Sequence, residues 1–343
     1  MKGFKNQLSS VVPVVLALAA AIVLGQLAPM VTNAYIYSII VYACINVIMA
    51  VSLNLVIGLA GQFSMGHAGF MAVGGYVAAY LSLTYGVSTP APSFMPLALY
   101  QNLFFAGALV AGGLAAAALG YVVGLPSLRL KGDYLAIVTL GFGEIIRVII
   151  LNVDAVGGAR GLPGIPQQTN LSWVLAIGVI TVVTVRRLMA SSHGRALLAV
   201  REDEIAAEAM GVNTTQSKVR AFILGAFFAG VSGGLFAHFL TYMNPQSFDF
   251  NKSFEYIIMV VLGGMGSTTG AVIAALFLTG VKELLRPLQE ITKVDLRMII
   301  FALLLISLML LRPNGFFGTR ELTDFGPFRR FKNKPGMKKA PTP

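Results

Sequence analysis

The chain has 343 residues, of which 56% are hydrophobic and 11% charged, and its net charge is +11. Soluble domains carry about 25% charged residues, so this is the composition of a polytopic membrane protein, and the basic excess reads first as a topology signal rather than a nucleic-acid surface. One cysteine, Cys44, excludes a disulfide framework and a cysteine-rich metal site, and three scattered histidines with no H-E-x-x-H run offer neither a metal site nor the catalytic set of an intramembrane enzyme.

In chain order, two lysines lead into the apolar run 11–30, which has the ~20 residues a helix needs to cross a bilayer. No convincing small-residue cleavage site follows, so the run reads as an uncleaved first helix. Further apolar segments lie at 36–57, 63–84, 103–125, 133–152, 171–188, 220–242 and 296–311, with another between 254 and 286. The connections 31–35 and 85–102 carry no charge. By contrast, 126–132 holds Arg129 and Lys131, and 186–220 holds Arg186, Arg187, Arg195, Arg201, Lys218 and Arg220. Basic loops stay on the cytoplasmic side, which places the N-terminus, the 126–132 turn and the 186–220 loop there.

The tail after Leu311 is also basic, despite Glu321 and Asp324, and is expected on the same side. A single helix over 254–286 would leave that tail outside. A break in "VVLGGMGSTTGAV" that makes two membrane-embedded legs restores the parity, for about nine or ten segments in all. Whether 254–265 crosses fully or re-enters stays open. The chain thus divides into a membrane domain, 1–318, with a loop at 190–219, and a basic tail, 319–343.

Two glycine-rich breaks occur, at 58–69 and 263–270. Irregular backbone at membrane depth is tolerated only where protein or a watery cavity covers it, and paired breaks in the two halves of a chain point to a transport pathway. Gln62, Ser64 and His67 in the first break, with Gly264 and Ser267 in the second, are therefore candidate pathway residues. The competing readings are close helix packing by the glycines and a packed, hydrogen-bonded histidine. Glu144 and Arg147, three residues apart within 133–152, share a helix face. They read as a gate or pathway pair, or as an internal ion pair holding helices in register. Asp133 suits the positive end of its helix, and Asn46 and Asn54 serve packing or transport alike.

The polar stretch "SSHGRALLAVREDEIAAEAMGVNTTQSKVRAF" contains a short expected helix from about Glu202 to Met210, ended by Gly211. Ile205, Ala209 and Val212 fall on one face, Glu204 and Glu208 on another. Helices that lie on lipid present Lys and Arg, so this acidic face favours a protein partner, a solvated connector being the alternative.

"LNLVIGLAGQFSMGHAGFMAVGGY", "GDYLAIVTLGFGEIIRVIILN", "GGARGLPGIP", "GRALLAVREDEIAAEAMGVN" and "VVLGGMGSTTGAVIAA", in this order, resemble the inner-membrane permeases of branched-chain amino acid ABC transporters, most of all the LivM-type subunit. The resemblance runs from about residue 35 to 318 and includes the closing "LRPNGFFG". It implies an all-α ABC importer permease fold and a cytoplasmic coupling helix with an E-A-A-x3-G pattern that docks on the ATPase. Ala206, Ala207 and Gly211 keep that spacing, Ile205 stands where the pattern has glutamate, and Glu204 and Glu208 flank it. The resemblance further implies a LivH-type sister permease, two cytoplasmic ATPases of LivG/LivF type and a soluble binding protein outside. Arg160, in the loop 156–166 expected on that side, reads either as a contact for an acidic patch on the binding protein or as the residue that fixes a glycine-rich turn. The chain has no G-x4-G-K-[ST] phosphate loop, so ATP and Mg belong to the partners and no cofactor is expected here. A bacterial inner membrane is implied as well. A branched-chain substrate would place its side chain in an apolar pocket and its charged groups at the ends of broken helices. Two rival readings are a permease for urea or short amides and an ion-gradient carrier without an ATPase, although Glu144 alone lies deep in a span.

Overall fold

A computed structural model describes residues 2–86, 96–128, 130, 132–286, 303, 306–307, 315–318 and 321. Eleven α-helices are described: α1 (Lys2–Val31), α2 (Ala34–Asn54), α3 (His67–Leu81), α4 (Leu97–Ser127), α5 (Asp133–Leu151), α6 (Leu171–Ala190), α7 (Ser192–Glu202), α8 (Glu204–Ala209), α9 (Thr214–Leu240), α10 (Phe250–Gly263) and α11 (Thr268–Leu284). π turns extend α2 over Leu55–Leu59 and α3 over Ser82–Gly86. The described strands, β1 (Leu162–Pro163) and β2 (Tyr242–Met243), form one short antiparallel ladder that ties the loop before α6 to the end of α9. The apolar span expected at 296–311 apart from Leu303, Ile306 and Ser307, together with Arg129, Lys131 and the basic tail other than Glu321, lies outside the described residues.

Hydropathy alone places six of these helices across a membrane: α1, α2 with its π turn, α4, α5, α6 and α9. Their surroundings differ. α2 is hydrophobic all round because it is the central helix, with 78% of its best apolar window buried, whereas only 11% of the window in α1 is. α1 leans on α6 at the rim.

The tightest packing joins α3, α4 and α9. Gly74 of α3 lies against the backbone of Gly230 of α9, and Gly112 of α4 lies against the Gly74 carbonyl, so a Cβ at any of the three would collide with main chain. Small residues let membrane helices approach this closely, and dispersion and lipid-excluded contact then hold them. Gly74→Ile is therefore expected to abolish recovery of folded protein, seen as loss of the monodisperse peak in detergent size-exclusion chromatography. Gly107→Ile, at a position with nothing within 4 Å, should leave that peak in place.

α10 and α11 form an antiparallel hairpin. At its open end Glu255 of α10 accepts from Lys282 of α11 at 3.0 Å and from Lys252 at 3.1 Å. The turn, with Gly264 and Gly266 at φ 106° and 100°, lies beside Gly58 and Arg201, at the end of the bundle that carries α7 and α8. So α10 runs from one end of the bundle to the other and α11 returns, which resolves the 254–286 segment into two legs. Residues 315–318 lie again beside the turn.

Candidate functional site

The polar loop forms two helices where the sequence pattern suggests one. Asp203 separates them: its Oδ1 accepts the N–H groups of Ile205 and Ala206 at 2.9 and 3.0 Å, a cap that stops α7 and starts α8. Gly211, at φ 83°, ends the unit in the left-handed conformation that glycine adopts most easily. α8 is fastened to the bundle by its first residue, since Lys218 of α9, 3% exposed, donates to Glu204 at 2.7 Å. Ala207 is buried. Ile205 and Met210 are 76% and 84% exposed, and Ala206, Glu208, Ala209 and Gly211 are exposed beside them.

The apolar stripe Ile205–Ala209–Val212 thus points mostly outward. Of the two flanking carboxylates, Glu204 serves the chain's own architecture and Glu208 faces out. Met210, in sequence only the end of the expected helix, carries the signal of a large apolar residue just before a terminating glycine. A cavity of about 660 Å³ adjoins this surface, lined by Tyr121, Leu125, Glu208, Gly211 and Gln216 among others.

The two glycine-rich breaks meet each other. Asn54, at the end of α2, accepts the Gly266 N–H on its Oδ1 at 2.9 Å, and a Cβ at Gly58 would collide with both Asn54 and Gly266. Gln62 Nε2 donates to the Ala60 carbonyl at 3.3 Å, and the Met65 N–H donates to Thr139 Oγ1 of α5 at 3.0 Å. Ser64 is fully buried, and its hydroxyl, like Asn54 Nδ2, has no hydrogen-bond partner among the described residues.

The second break is closed by the chain's own C-terminal part. The Phe316 and Phe317 N–H groups donate to the Leu262 and Gly263 carbonyls at 2.8 and 3.3 Å, completing the end of α10. Gly264 packs against Gly318. Ser267 Oγ accepts the Gly270 N–H at 3.1 Å, capping α11. Glu321 then accepts from the Thr268 N–H at 2.8 Å and the Thr269 hydroxyl at 2.9 Å, with Arg186 3.5 Å away. The expectation that this helix end holds a substrate carboxylate meets a physical obstacle: the positive end of α11 already holds a carboxylate of the same chain.

His67 is 2% exposed and stands 2.8 Å from Ser52 Oγ of α2. Its geometry is that of a packed interior histidine. His238, assigned no role from sequence, does the same at the far end of α3, bonding Ser82 Oγ and the Gly234 carbonyl at 2.8 Å each. Asn46 donates to Thr279 of α11 at 2.9 Å, a packing contact. Glu144 and Arg147 form an ion pair at 2.7 Å with side chains 35% and 26% exposed. Both lie on α5, so the pair cannot hold two helices in register. Ile137, Gly141, Glu144, Ile145 and Val148 share one face of α5, where Ile137 and Ile145 are 64% and 53% exposed. Charge at membrane depth is not left against lipid, so this face needs protein or water to cover it. Arg160 sits exposed in the loop before β1, and its carbonyl accepts from the Tyr242 hydroxyl at 2.9 Å.

An apolar cavity of about 530 Å³ lies between α1, α2, α6 and α11, lined by Cys44, Val47, Val179, Val272 and Leu276 among others. Among the described residues nothing charged lines it, so their lining does not match a zwitterion. Among the described residues no three His, Cys, Asp or Glu side chains are grouped for a metal ion.

A bundle of apolar helices, a face with an ion pair that is exposed among the described residues, and a polar loop that presents a small helix outward define a multi-pass membrane permease. Residues 35–309 match the family model described as "Branched-chain amino acid transport system / permease component". The chain belongs to that family. It is 34% identical over 335 residues to the high-affinity branched-chain amino acid transport system permease protein LivM of Escherichia coli K12, covering 88% of this chain and 74% of that protein. It is 28% identical over 306 residues to the probable branched-chain amino acid transport permease protein LivM of Methanocaldococcus jannaschii, covering 78% and 89%. To the LivH permease protein of Salmonella typhimurium it is 26% identical over 302 residues, covering 80% and 92%. No solved structure matches the chain.

Proposed function

We propose that this chain is a LivM-type permease of an ATP-driven importer of branched-chain amino acids in a bacterial inner membrane, with both termini and the 190–219 loop in the cytoplasm. A LivH-type permease covers the α5 face with Glu144 and Arg147, and the substrate passes between the two. Two ATPases of LivG/LivF type supply the energy. A binding protein delivers the amino acid from outside, near Arg160, and carries most of the selectivity.

One observation supports this reading above the others: α8 is held from below by Glu204 and Lys218 while Ile205, Glu208 and Met210 project outward. Large apolar side chains more than three-quarters exposed on a fastened helix suit a partner's groove. An ion-gradient carrier has no use for them. Motion of the ATPases would reach the permease through this helix.

The test is to purify the tagged chain from its native membrane in mild detergent and identify by mass spectrometry what co-purifies. An ATPase pair and a second permease are the expected companions. A chain that purifies alone and moves leucine in vesicles without ATP overturns the proposal.

A further inference from the structure

The two breaks and the docking helix share one side chain. Arg201, the penultimate residue of α7, stands two residues before the α8 cap at Asp203. Its Nη1 donates to the Gly58 carbonyl at 2.8 Å, a bond spanning 143 residues of sequence. The same nitrogen is 3.0 Å from where a Gly266 Cβ would stand, and Arg201 Cγ is 2.8 Å from where a Gly61 Cβ would stand. Gly61, Gly266 and Arg201 are thus fitted to one another. Gly58 lies in the π turn that ends α2, the kind of helix irregularity found at functional sites. A cation at the carbonyl end of a helix is electrostatically favoured, and here the guanidinium takes up a carbonyl freed by the break. From the same place contact passes through Asn54 to the Gly266 N–H and so to Ser267, the cap of α11. Glu202, 70% exposed, orients the guanidinium from its other edge at 2.6 Å.

We infer that Arg201 is the positioning residue that transmits displacement of the docking helix to both helix breaks at once, so that α2 and α11 move together when a partner moves α8. This rests on the importer reading. The shared contact accounts for one glycine in each break: Gly61 leaves room for the Arg201 stem and Gly266 for its guanidinium.

The experiment reconstitutes the whole complex in proteoliposomes with substrate-loaded binding protein and measures substrate uptake and ATP hydrolysis together. Two variants are compared with the unmodified chain: Arg201→Met, which keeps the stem over Gly61, and Arg201→Lys, which keeps the charge. In Arg201→Met uptake is expected to fall by about tenfold or more while stimulated hydrolysis falls by less than about threefold, raising the ATP consumed per molecule moved. Arg201→Lys should lie between. Uptake and hydrolysis falling in proportion, or an unchanged ratio, overturns the inference. If the Met variant does not assemble, the Lys variant is judged on the same ratio. An unmodified complex that neither hydrolyses ATP nor transports with loaded binding protein overturns the importer reading instead.

Discussion

The paired substitution Ile205→Asp and Met210→Asp is expected to abolish ATP-driven uptake and co-purification of the ATPase, with the permease still folded. Both side chains are more than three-quarters exposed, so replacing them costs the isolated chain little. In a partner's groove each new carboxylate would be desolvated without a counter-charge, at several kcal/mol apiece. At about 1.4 kcal/mol per factor of ten, two such groups lower affinity by about a thousandfold or more. Glu204→Gln tests the other side of the helix: it loosens the anchor on Lys218, so a thermal shift of the permease alone should detect it, with docking impaired only indirectly. If the aspartate pair leaves ATPase binding intact, α8 is a solvated connector and the docking reading fails.

Removal of one member of the α5 pair is expected to harm folding, and removal of both to separate folding from transport. Arg147→Met strands the Glu144 carboxylate in a span, at a cost of about 3 kcal/mol by membrane-insertion measures. Folded yield should fall accordingly. The double variant Glu144→Gln/Arg147→Met removes both charges, and yield should recover toward that of the unmodified chain. Uptake should not recover, staying about tenfold down or lower, because the proposed pathway wall has become neutral while its shape is kept. Recovery of uptake with yield would mean that the pair only satisfies itself. The pair lies within one helix, so register between helices is not an available explanation.

Much of this was legible along the chain. Apolar run lengths located the six described helices that are long and apolar enough to cross a membrane, and basic loops with the glycine run at 263–270 suggested two legs in the 254–286 segment, where the structure has α10 and α11. Gly211 marked the end of α8 because a left-handed residue there is almost a local decision. The second helix of the loop, α7, was not anticipated, because its separation from α8 depends on one aspartate turning its side chain onto two N–H groups.

The amino-acid sequence by itself determined that this is a helical multi-pass membrane protein, where its chain turns, and which loop is polar, because hydropathy, charge and glycine content act over a few residues; its motifs, by resemblance, pointed to a permease. Only the tertiary structure decided who meets whom. Glu204 and Glu208 look equivalent in sequence, yet one lies against Lys218 and the other faces out. His67 read in sequence either as a pathway group or as a packed, hydrogen-bonded histidine, and in the fold it lies against Ser52 within the bundle. The two breaks read as a pair along the chain, but only the fold shows that Asn54 and Gly266, 212 residues apart, are bonded to each other. The helix end offered to a substrate is filled by Glu321. A polar group inside a membrane bundle must find a partner wherever one is in reach, and reach is set by helix packing, which no local pattern encodes.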